Sequence, residues 1–319
     1  MPYNEADLGR VRTVPVGARH NKVDPTLLAT PPADDRSFSA FLDSLPDVLA
    51  ARDLRAVIAG VAGGHRAGRA VVLLVGGHVV KVGLGPLLVD WLRRGVIAHL
   101  ALNGAAAIHD FELAAFGGTS EDVESGLADG TFGMAEETGR EMNEAFVRGM
   151  SEQRGMGEIL GAVLEENESL ANAELSLLLN ARKFGVPLTV HAALGAEIIH
   201  QHPAASGAAI GDTSHRDFRR LAHSLIRIDD GGVVLNLGSA VIMPEVFLKA
   251  LTIARNLGAS KPQNFTTVDL DMQRHYRPRV NVVQRPTLQS GKGYEITGHH
   301  EIMVPLLVWA VVEELGRRA

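Results

Sequence analysis

Residues 70–77 read AVVLLVGG, a run of six apolar side chains that ends in two glycines. Such a run is typical of a strand buried on both faces, and the glycines predict a tight turn into the following helix. Comparable runs occur at residues 98–102, 187–191, 233–237 and 265–270. Because segments with helical periodicity separate these runs, they predict a doubly wound, mostly parallel α/β sheet.

The remaining segments predict the organisation around this sheet. Residues 37–51 carry apolar side chains at helical spacing and predict one amphipathic helix, and residues 300–316 predict the closing helix. The first residues are polar and interrupted by prolines, so we expect an N-terminal arm over residues 1–35. Residues 36–319 are expected to form a single α/β domain.

The composition limits the classes of function. Of 319 residues, 46% are hydrophobic and 21% are charged, and the formal charge of −6 is spread along the chain, as in an ordinary globular protein. Because no basic stripe occurs, nucleic acid is not an expected partner. Because cysteine is absent, disulfides, thiolate metal sites and cysteine nucleophiles are excluded.

No segment of the sequence suggests a membrane span or secretion. The longest apolar stretches, such as residues 302–312, are shorter than the roughly 20 residues that a membrane span needs. The N-terminus is polar and lacks the apolar core of a signal peptide. We therefore expect a cytoplasmic protein that acts on a small molecule and has no membrane partner.

The turn after the first strand is rich in glycine. In an open parallel sheet, ligands bind where the strands end, and glycines there let the backbone approach a phosphate. Gly76, Gly77, His78 and Gly83 are therefore candidates for binding a cofactor, and Lys81 would add a positive charge. The alternative is a tight turn that needs glycine only for packing.

The turn after the second strand carries titratable side chains. Asn103 and Gly104 begin a helix, and His109, Asp110 and Glu112 follow within it. A histidine beside carboxylates at a strand end can act as a general acid or base near neutral pH. The alternative is that the carboxylates complement the helix dipole while His109 packs.

A third group of polar residues follows the strand at residues 187–191. His191, Glu197, His200 and His202 lie close together in the sequence, and Glu197 and His200 would share a helix face. They form an alternative metal site of the His/Glu type, although their spacing matches no strong zinc signature. The imidazoles could equally line a pocket without binding a metal.

The later strand ends supply further candidates for binding a cofactor. Gly238 and Ser239 follow the strand at residues 233–237, and Asp269 is expected at the end of the next strand, where it would bind ribose hydroxyls. Lys292 lies between two glycines and His299 precedes the last helix, so a backbone nest and the helix N-terminus could bind an anion there.

In this order and spacing, these segments resemble deoxyhypusine synthase from about Leu74 to the C-terminus. NGAAAIHD at residues 103–110 lies where that family has T-A-G-G-V-E-E-D, and GVVLNLGSAVI at residues 232–242 is similar to its apolar strand and G-G-G-V turn. Residues 305–308, PLLV, resemble its closing helix. The resemblance implies a Rossmann-like fold, NAD across the strand ends and a homotetramer, a dimer of dimers with sites at a subunit interface.

The sequence departs from that family where its chemistry occurs. The family's segment G-A-R-P-D-E-A-V-S-W-G-K-I contains the lysine that forms an imine, whereas residues 277–289 read RPRVNVVQRPTLQ and contain no lysine. Lys292 lies a few residues further on and could substitute only if the loop is rearranged. His109 and His191 stand where the family has acidic residues, so we expect the carboxylates of a polyamine site to be missing. Deoxyhypusine synthesis is therefore not expected.

A second resemblance is shorter and closer. NGAAAIHDFELAAFGGTS at residues 103–120 is similar to N-A-x-A-V-H-D-x-E-x-A-x-x-G-T-S in the NAD-using, ornithine-cyclising domain of bacterial arginine dihydrolase-type proteins. Asn103, His109, Asp110 and Glu112 match that pattern residue by residue. This resemblance implies NAD that is bound and recycled within one turnover.

Three hypotheses follow from the sequence. The first is an NAD-dependent transferase or lyase that acts on a small amine or amino acid through an imine, with His109 as acid or base and Asp110 or Glu112 orienting it. Lys81, Lys292 or Arg285 would then bind a phosphate or a substrate carboxylate. The second is a metal-dependent enzyme, and the third is a non-catalytic nucleotide-binding protein.

Overall fold

The computed structural model describes residues 3–170, 172–257 and 261–317. The contacts within the chain divide it into two compact units, Met1–Arg52 and Asp53–Ala319. In the first unit, short 3-10 turns lie at Leu8–Arg10, Val16–Ala18 and Pro25–Leu27, and they precede helix α1, Phe38–Ser44. Most residues before α1 are exposed.

The prediction of one helix over residues 37–51 is wrong. Helix α1 begins after Ser37, whose hydroxyl accepts a hydrogen bond from the amide of Ala40 at 3.1 Å. The helix stops because Leu45 is extended, with φ −63° and ψ 148°, as the residue before a proline prefers. A second helix, α2, then spans Leu49–Arg66.

The second unit contains a six-stranded, all-parallel sheet, with strands in the order β3-β2-β1-β4-β5-β6. The strands are β1 Val71–Val75, β2 His99–Asn103, β3 Leu188–His191, β4 Val233–Leu237, β5 Thr266–Asp271 and β6 Lys292–Thr297. The order reverses between β1 and β4, which places a crevice beyond their carboxyl ends. The predicted doubly wound fold is confirmed.

Sequence reasoning missed β6, which lies at the edge of the sheet. Its first residues, Lys292 and Gly293, are exposed, and only Ile296 is fully buried. An edge strand with one buried residue lacks the continuous apolar run that marks the inner strands. The segment that was expected to form a backbone nest is therefore the start of a strand.

Helices cover both faces of the sheet and connect its strands. In the second unit they are α3 Gly77–Lys81, α4 Gly85–Arg93, α5 Gly104–Phe116, α6 Val123–Asp129, α7 Glu136–Ser151, α8 Met156–Glu166, α9 Leu177–Lys183, α10 Gly207–Ser224, α11 Ile242–Leu257, α12 Tyr276–Pro278 and α13 His300–Gly316. A π-helical turn at Arg279–Gln284 follows α12. Five of these helices, α5–α9, lie between β2 and β3.

The core on one face of the sheet is built from strand and helix side chains together. Val72 and Leu74 of β1 and Val234 of β4 pack against Phe247 and Leu251 of α11, and all five are buried. This packing fixes α11 on the sheet and so fixes the turns at the carboxyl ends of the strands. Within the described ranges, no helix combines the length and the apolar character that a membrane span requires.

Candidate functional site

The turns after β1 and β4 touch each other through two glycines. A Cβ atom on Gly76 would lie 2.1 Å from the carbonyl oxygen of Gly238, and the amide of Gly76 donates to the carbonyl of Leu237 at 2.9 Å. Gly238 also has a positive φ of 65°, a conformation that favours glycine. Both positions therefore require glycine, and the contact lies where the strand order reverses.

Gly77 allows α3 to pack closely against α5. A Cβ atom on Gly77 would lie 3.0 Å from the Cβ of Ala105 and 3.3 Å from Cδ2 of His109. Gly83 has a φ of 85° and open space around its missing Cβ, so it serves the turn between α3 and α4. The sequence-predicted Gly77 and His109 thus lie side by side.

His109 belongs to a hydrogen-bonded chain. Its Nδ1 lies 2.7 Å from Oγ1 of Thr119, Thr119 donates its hydroxyl proton to Oε2 of Glu112, and Thr138 donates to Oε1 of Glu112 at 3.0 Å. A hydroxyl has one proton, so Thr119 must accept its second bond from His109. The imidazole therefore carries its proton on Nδ1, which leaves the Nε2 lone pair as the base.

The environment keeps His109 in its neutral form. Burial lowers the pKa of His109, and the positive charges of Lys81 and His78 lower it further. A neutral imidazole at neutral pH can accept a proton from a ligand. The sequence predicted Glu112 as an orienting group, but it did not single out Thr119, although Thr119 lies in the quoted G-T-S motif.

A cavity of about 640 Å³ lies beside this chain. Its polar lining residues are Lys81, His109, Glu112, Thr119, Ser120, Glu121, Glu137, Thr138 and Glu197. His109 and His191 stand where the deoxyhypusine synthase family has acidic residues, but the cavity still has carboxylates, because four glutamates line it. Glu121 and Glu137 belong to the insertion between β2 and β3. They were not predicted as site residues because they are far in sequence from the strand ends.

Asp110 stabilises the start of α9 through hydrogen bonds. Its carboxylate accepts hydrogen bonds from the amides of Leu177 at 2.6 Å and Leu178 at 3.0 Å, and from the hydroxyl of Ser176 at 2.8 Å. These groups form the N-terminus of α9. Burial raises the pKa of Asp110 to about 6, and the three hydrogen bonds oppose that rise. Thr119, and not Asp110, is the hydrogen-bond partner of His109.

Asn103 and Ser239 also hold helix ends. Oδ1 of Asn103 accepts from the amide of Ala106 at 2.9 Å at the start of α5. Oγ of Ser239 accepts from the amide of Met243 at 3.2 Å in the first turn of α11. Each fixes a turn at the crevice, and any contact with a ligand would be additional to this role.

Glu197 lies against the start of α5. Its Oε1 accepts from the amide of Ala193 at 2.7 Å, and its Oε2 lies 3.2 Å from Nε2 of His200. A Cβ atom on Gly104 would lie 2.1 Å from the carboxyl carbon of Glu197. The predicted proximity of Glu197 and His200 is present, although the segment Ile198–Gln201 is a short 3-10 turn.

The four residues of the alternative metal site do not converge. Nε2 of His191 bonds Oγ1 of Thr189 at 3.0 Å, whereas Nε2 of His202 lies 3.2 Å from Glu136. Among the described residues, no three His, Asp or Glu side chains are arranged to bind a metal ion. Burial lowers the pKa of His191 to about 3, because the neutral imidazole is part of the core. The alternative metal site is therefore wrong.

Asp269 does not end its strand. It lies inside β5, fully buried, and its Oδ1 accepts a hydrogen bond from Nδ2 of Asn236 at 2.8 Å. Burial raises the pKa of Asp269 to about 7. Asp271, which ends β5, occupies the position that was predicted for Asp269.

The remaining two predicted residues, Lys292 and His299, lie at opposite ends of the strands. Lys292 begins β6 and pairs with Thr266, so it lies at the amino edge, roughly 16 Å along the strand from the carboxyl end. Lys292 therefore cannot act beside His109, and that prediction is wrong. His299 precedes α13 at the carboxyl edge, and the rings of His78 and His300 lie 5.4 Å apart there.

Comparisons with known proteins show the fold. No model of a protein family and no curated protein sequence matches the chain. Apo ArgZ, an arginine dihydrolase from the ornithine–ammonia cycle in cyanobacteria, is 14% identical with a TM-score of 0.51, over 84% of this chain and 34% of that one. AgrE in its ternary complex with ornithine and NAD⁺ is 14% identical with a TM-score of 0.52, over 85% of this chain and 35% of that one.

A structure of similar length also matches. A putative deoxyhypusine synthase from Entamoeba histolytica is 13% identical with a TM-score of 0.52, over 88% of this chain and 95% of that one. The chain spans about a third of the length of the arginine dihydrolase-type chains. Both resemblances seen in the sequence are thus found again as likenesses of fold.

Proposed function

We propose that this chain binds NAD at the carboxyl ends of its strands and uses it to act on a small amine or amino acid in the cavity beside His109. The observation that carries the proposal is the chain His109–Thr119–Glu112, which prepares a neutral base in a cavity next to the glycine turn. That AgrE has been crystallised with ornithine and NAD⁺ supports the choice of cofactor and of ligand class.

The residues at the reversal of strand order fit a dinucleotide. Gly76 and Gly238 let the turns after β1 and β4 pack together. A pyrophosphate could bind beside them at the amides that begin α3, which no side chain caps. Lys81 lies at the end of α3 and lines the cavity, where it could bind a phosphate or a ligand carboxylate. Asp271, at the end of β5, is the acidic residue best placed for a ribose hydroxyl.

Side chains of the protein would accept the proton that the amine nitrogen loses. Bound NAD would supply a hydride acceptor, so that an amine whose carbon carries hydrogen loses a hydride and becomes an imine. Nε2 of His109 accepts the proton that leaves the nitrogen, and Glu112 stabilises the resulting imidazolium through Thr119. If the first imine were converted into a second imine in the cavity, return of the hydride and the proton to that second imine would regenerate NAD⁺.

A second candidate is a nucleotide-binding protein without catalysis. The observation that favours it is the segment Tyr276–Gln284, which is helical and contains no lysine, together with the position of Lys292 at the opposite edge of the sheet. In either case we propose a homo-oligomer, as the deoxyhypusine synthase resemblance implies.

To test the proposed function, the purified protein is mixed with NAD⁺ and with one amine or amino acid at a time, starting with ornithine. Transient fluorescence of reduced nicotinamide, observed with one compound and lost in His109→Gln, would support the enzyme. Binding of NAD with no reduction by any compound would favour the second candidate. Failure to bind NAD would overturn both.

A further inference from the structure

The surroundings of Glu197 are unusual for a carboxylate. Its side chain is only 6% exposed, and its oxygens contact one amide, from Ala193, and one imidazole, from His200. Among the described residues, no lysine or arginine forms an ion pair with it. A carboxylate that is buried without a cation is strongly disfavoured as an anion.

The imidazole beside Glu197 is not a compensating cation. Nδ1 of His200 accepts a hydrogen bond from the amide of Gly195 at 3.1 Å, so the ring carries its proton on Nε2, which faces Oε2 of Glu197. Burial lowers the pKa of His200, which keeps the ring neutral. Nε2 of His200 makes no hydrogen bond, so the ring contacts Glu197 without neutralising it.

The other charged groups that face the cavity do not supply the missing charge. Lys81 is the one lysine or arginine among its described lining residues, and it stands against three further glutamates, Glu112, Glu121 and Glu137. His109 is neutral. The cavity thus has a surplus of negative charge, while the positive end of α5 at Gly104 already contacts Glu197.

We propose that Glu197 selects ligands that carry an ammonium group, and that it releases a proton when such a group binds. The inference rests on the proposed function for its ligand class, and it adds the residue and the proton that recognition requires. The ammonium group would lie beside the carboxylate of Glu197, with any anionic end of the ligand toward Lys81. The start of α5 is not free to bind that anionic end, because Glu197 occupies it.

Proton release follows from the environment of Glu197. Burial raises the pKa of Glu197 to about 7, and the amide of Ala193 opposes that rise. A neighbouring ammonium group favours the ionised carboxylate and lowers its pKa. At pH 7, binding therefore releases up to about half a proton.

The experiment is calorimetric titration of the NAD-loaded full chain with ornithine, other primary amines and their neutral analogues, in two buffers of different ionisation enthalpy. Glu197→Gln preserves size and removes the charge. Glu137→Gln is the matched control, because Glu137 lines the same cavity but is exposed. Thermal unfolding of both variants checks that each is folded.

We expect Glu197→Gln to bind the best ammonium ligand at least tenfold more weakly, with no buffer dependence and with NAD affinity within twofold of the original. Glu137→Gln should keep both affinity and proton release. The inference is overturned if no ammonium compound binds the original chain better than Glu197→Gln, or if binding releases no proton. Failure of NAD to bind would overturn the proposed function separately.

Discussion

The hydroxyl oxygen of Thr119 lies 2.7 Å from Nδ1 of His109 and donates its own proton to Glu112. These two bonds fix the tautomer of His109, because the hydroxyl can donate only once. The base at the cavity is therefore Nε2. This assignment does not depend on which ligand binds.

The first prediction concerns that tautomer. Nitrogen NMR of labelled protein should show His109 protonated on Nδ1 near neutral pH, and Thr119→Val should shift the proton toward Nε2, since the acceptor for Nδ1 is lost. Thr131→Val, at an exposed turn, should leave the signal unchanged. A His109 signal protonated on Nε2 in the original chain would contradict the assignment.

The second prediction compares two lysines. Lys81 lines the cavity, whereas Lys292 lies at the amino edge of the sheet. Lys81→Met should weaken NAD or ligand binding roughly tenfold, equivalent to about 1.4 kcal/mol. Lys292→Met should leave both affinities unchanged in the same dialysis measurement. If only Lys292→Met lost affinity, the binding site would lie at the amino ends of the strands, which would contradict the prediction.

The third prediction tests the structural position of Asp110. Asp110→Ala removes the acceptor for two amides and one hydroxyl at the start of α9, so it should lower the free energy of unfolding by about 2–3 kcal/mol. Asp122→Ala removes an exposed cap of α6 and should cost only about 0.5–1 kcal/mol. Urea unfolding measures both. Full stability of Asp110→Ala together with lost activity would instead support a catalytic role.

The fourth prediction concerns pH and stability. Asp217 is fully buried, and its Oδ2 accepts from the amides of Gly157 and Val190, both at 2.8 Å. Burial raises the pKa of Asp217 to about 7, from an unfolded value near 4. Between these values the folded state binds more protons than the unfolded state, so Asp217 lowers the free energy of unfolding as pH rises.

Asp217→Asn should remove that dependence. Relative to the original chain, its stability should therefore increase steadily from pH 4 to pH 7.5 in thermal unfolding. Buried His99 and His191, whose pKa values burial lowers to about 3, give the opposite slope below pH 6.5, but they are common to both proteins and cancel in the difference. Asp212→Asn is the control, because Asp212 is half-buried and forms an ion pair with Arg216. A difference that is constant across pH would contradict the prediction.

Most of the fold was predictable from the sequence because buried parallel strands are continuous apolar runs. Five of the six strands were found in this way, and β6 was missed because it lies at an edge with a single fully buried residue, Ile296. The break at Leu45 was missed because an apolar helical pattern continues across Pro46, while the backbone cannot.

The site was only partly predictable. His109 and Glu112 were found because they follow a strand end, and Glu197 because it lies near two histidines. Asp269 was misplaced because sequence does not give strand ends to within two residues. Lys292 was misplaced because it begins β6, the edge strand that the sequence pattern did not indicate. Thr138, Glu121 and Glu137 were missed because only the folded insertion between β2 and β3 brings them to the cavity.

Binding of NAD where the strand order reverses is the property on which the proposed function depends, and equilibrium dialysis with NAD⁺ measures it. The original chain and Gly211→Ala, an exposed helical position with open space, should bind one NAD per chain. Gly76→Ala should bind much more weakly, because its Cβ would overlap the carbonyl of Gly238 and displace the two turns at which we propose that NAD binds. Absence of NAD binding by the original chain at millimolar concentration, or undiminished binding by a folded Gly76→Ala, would contradict the claim.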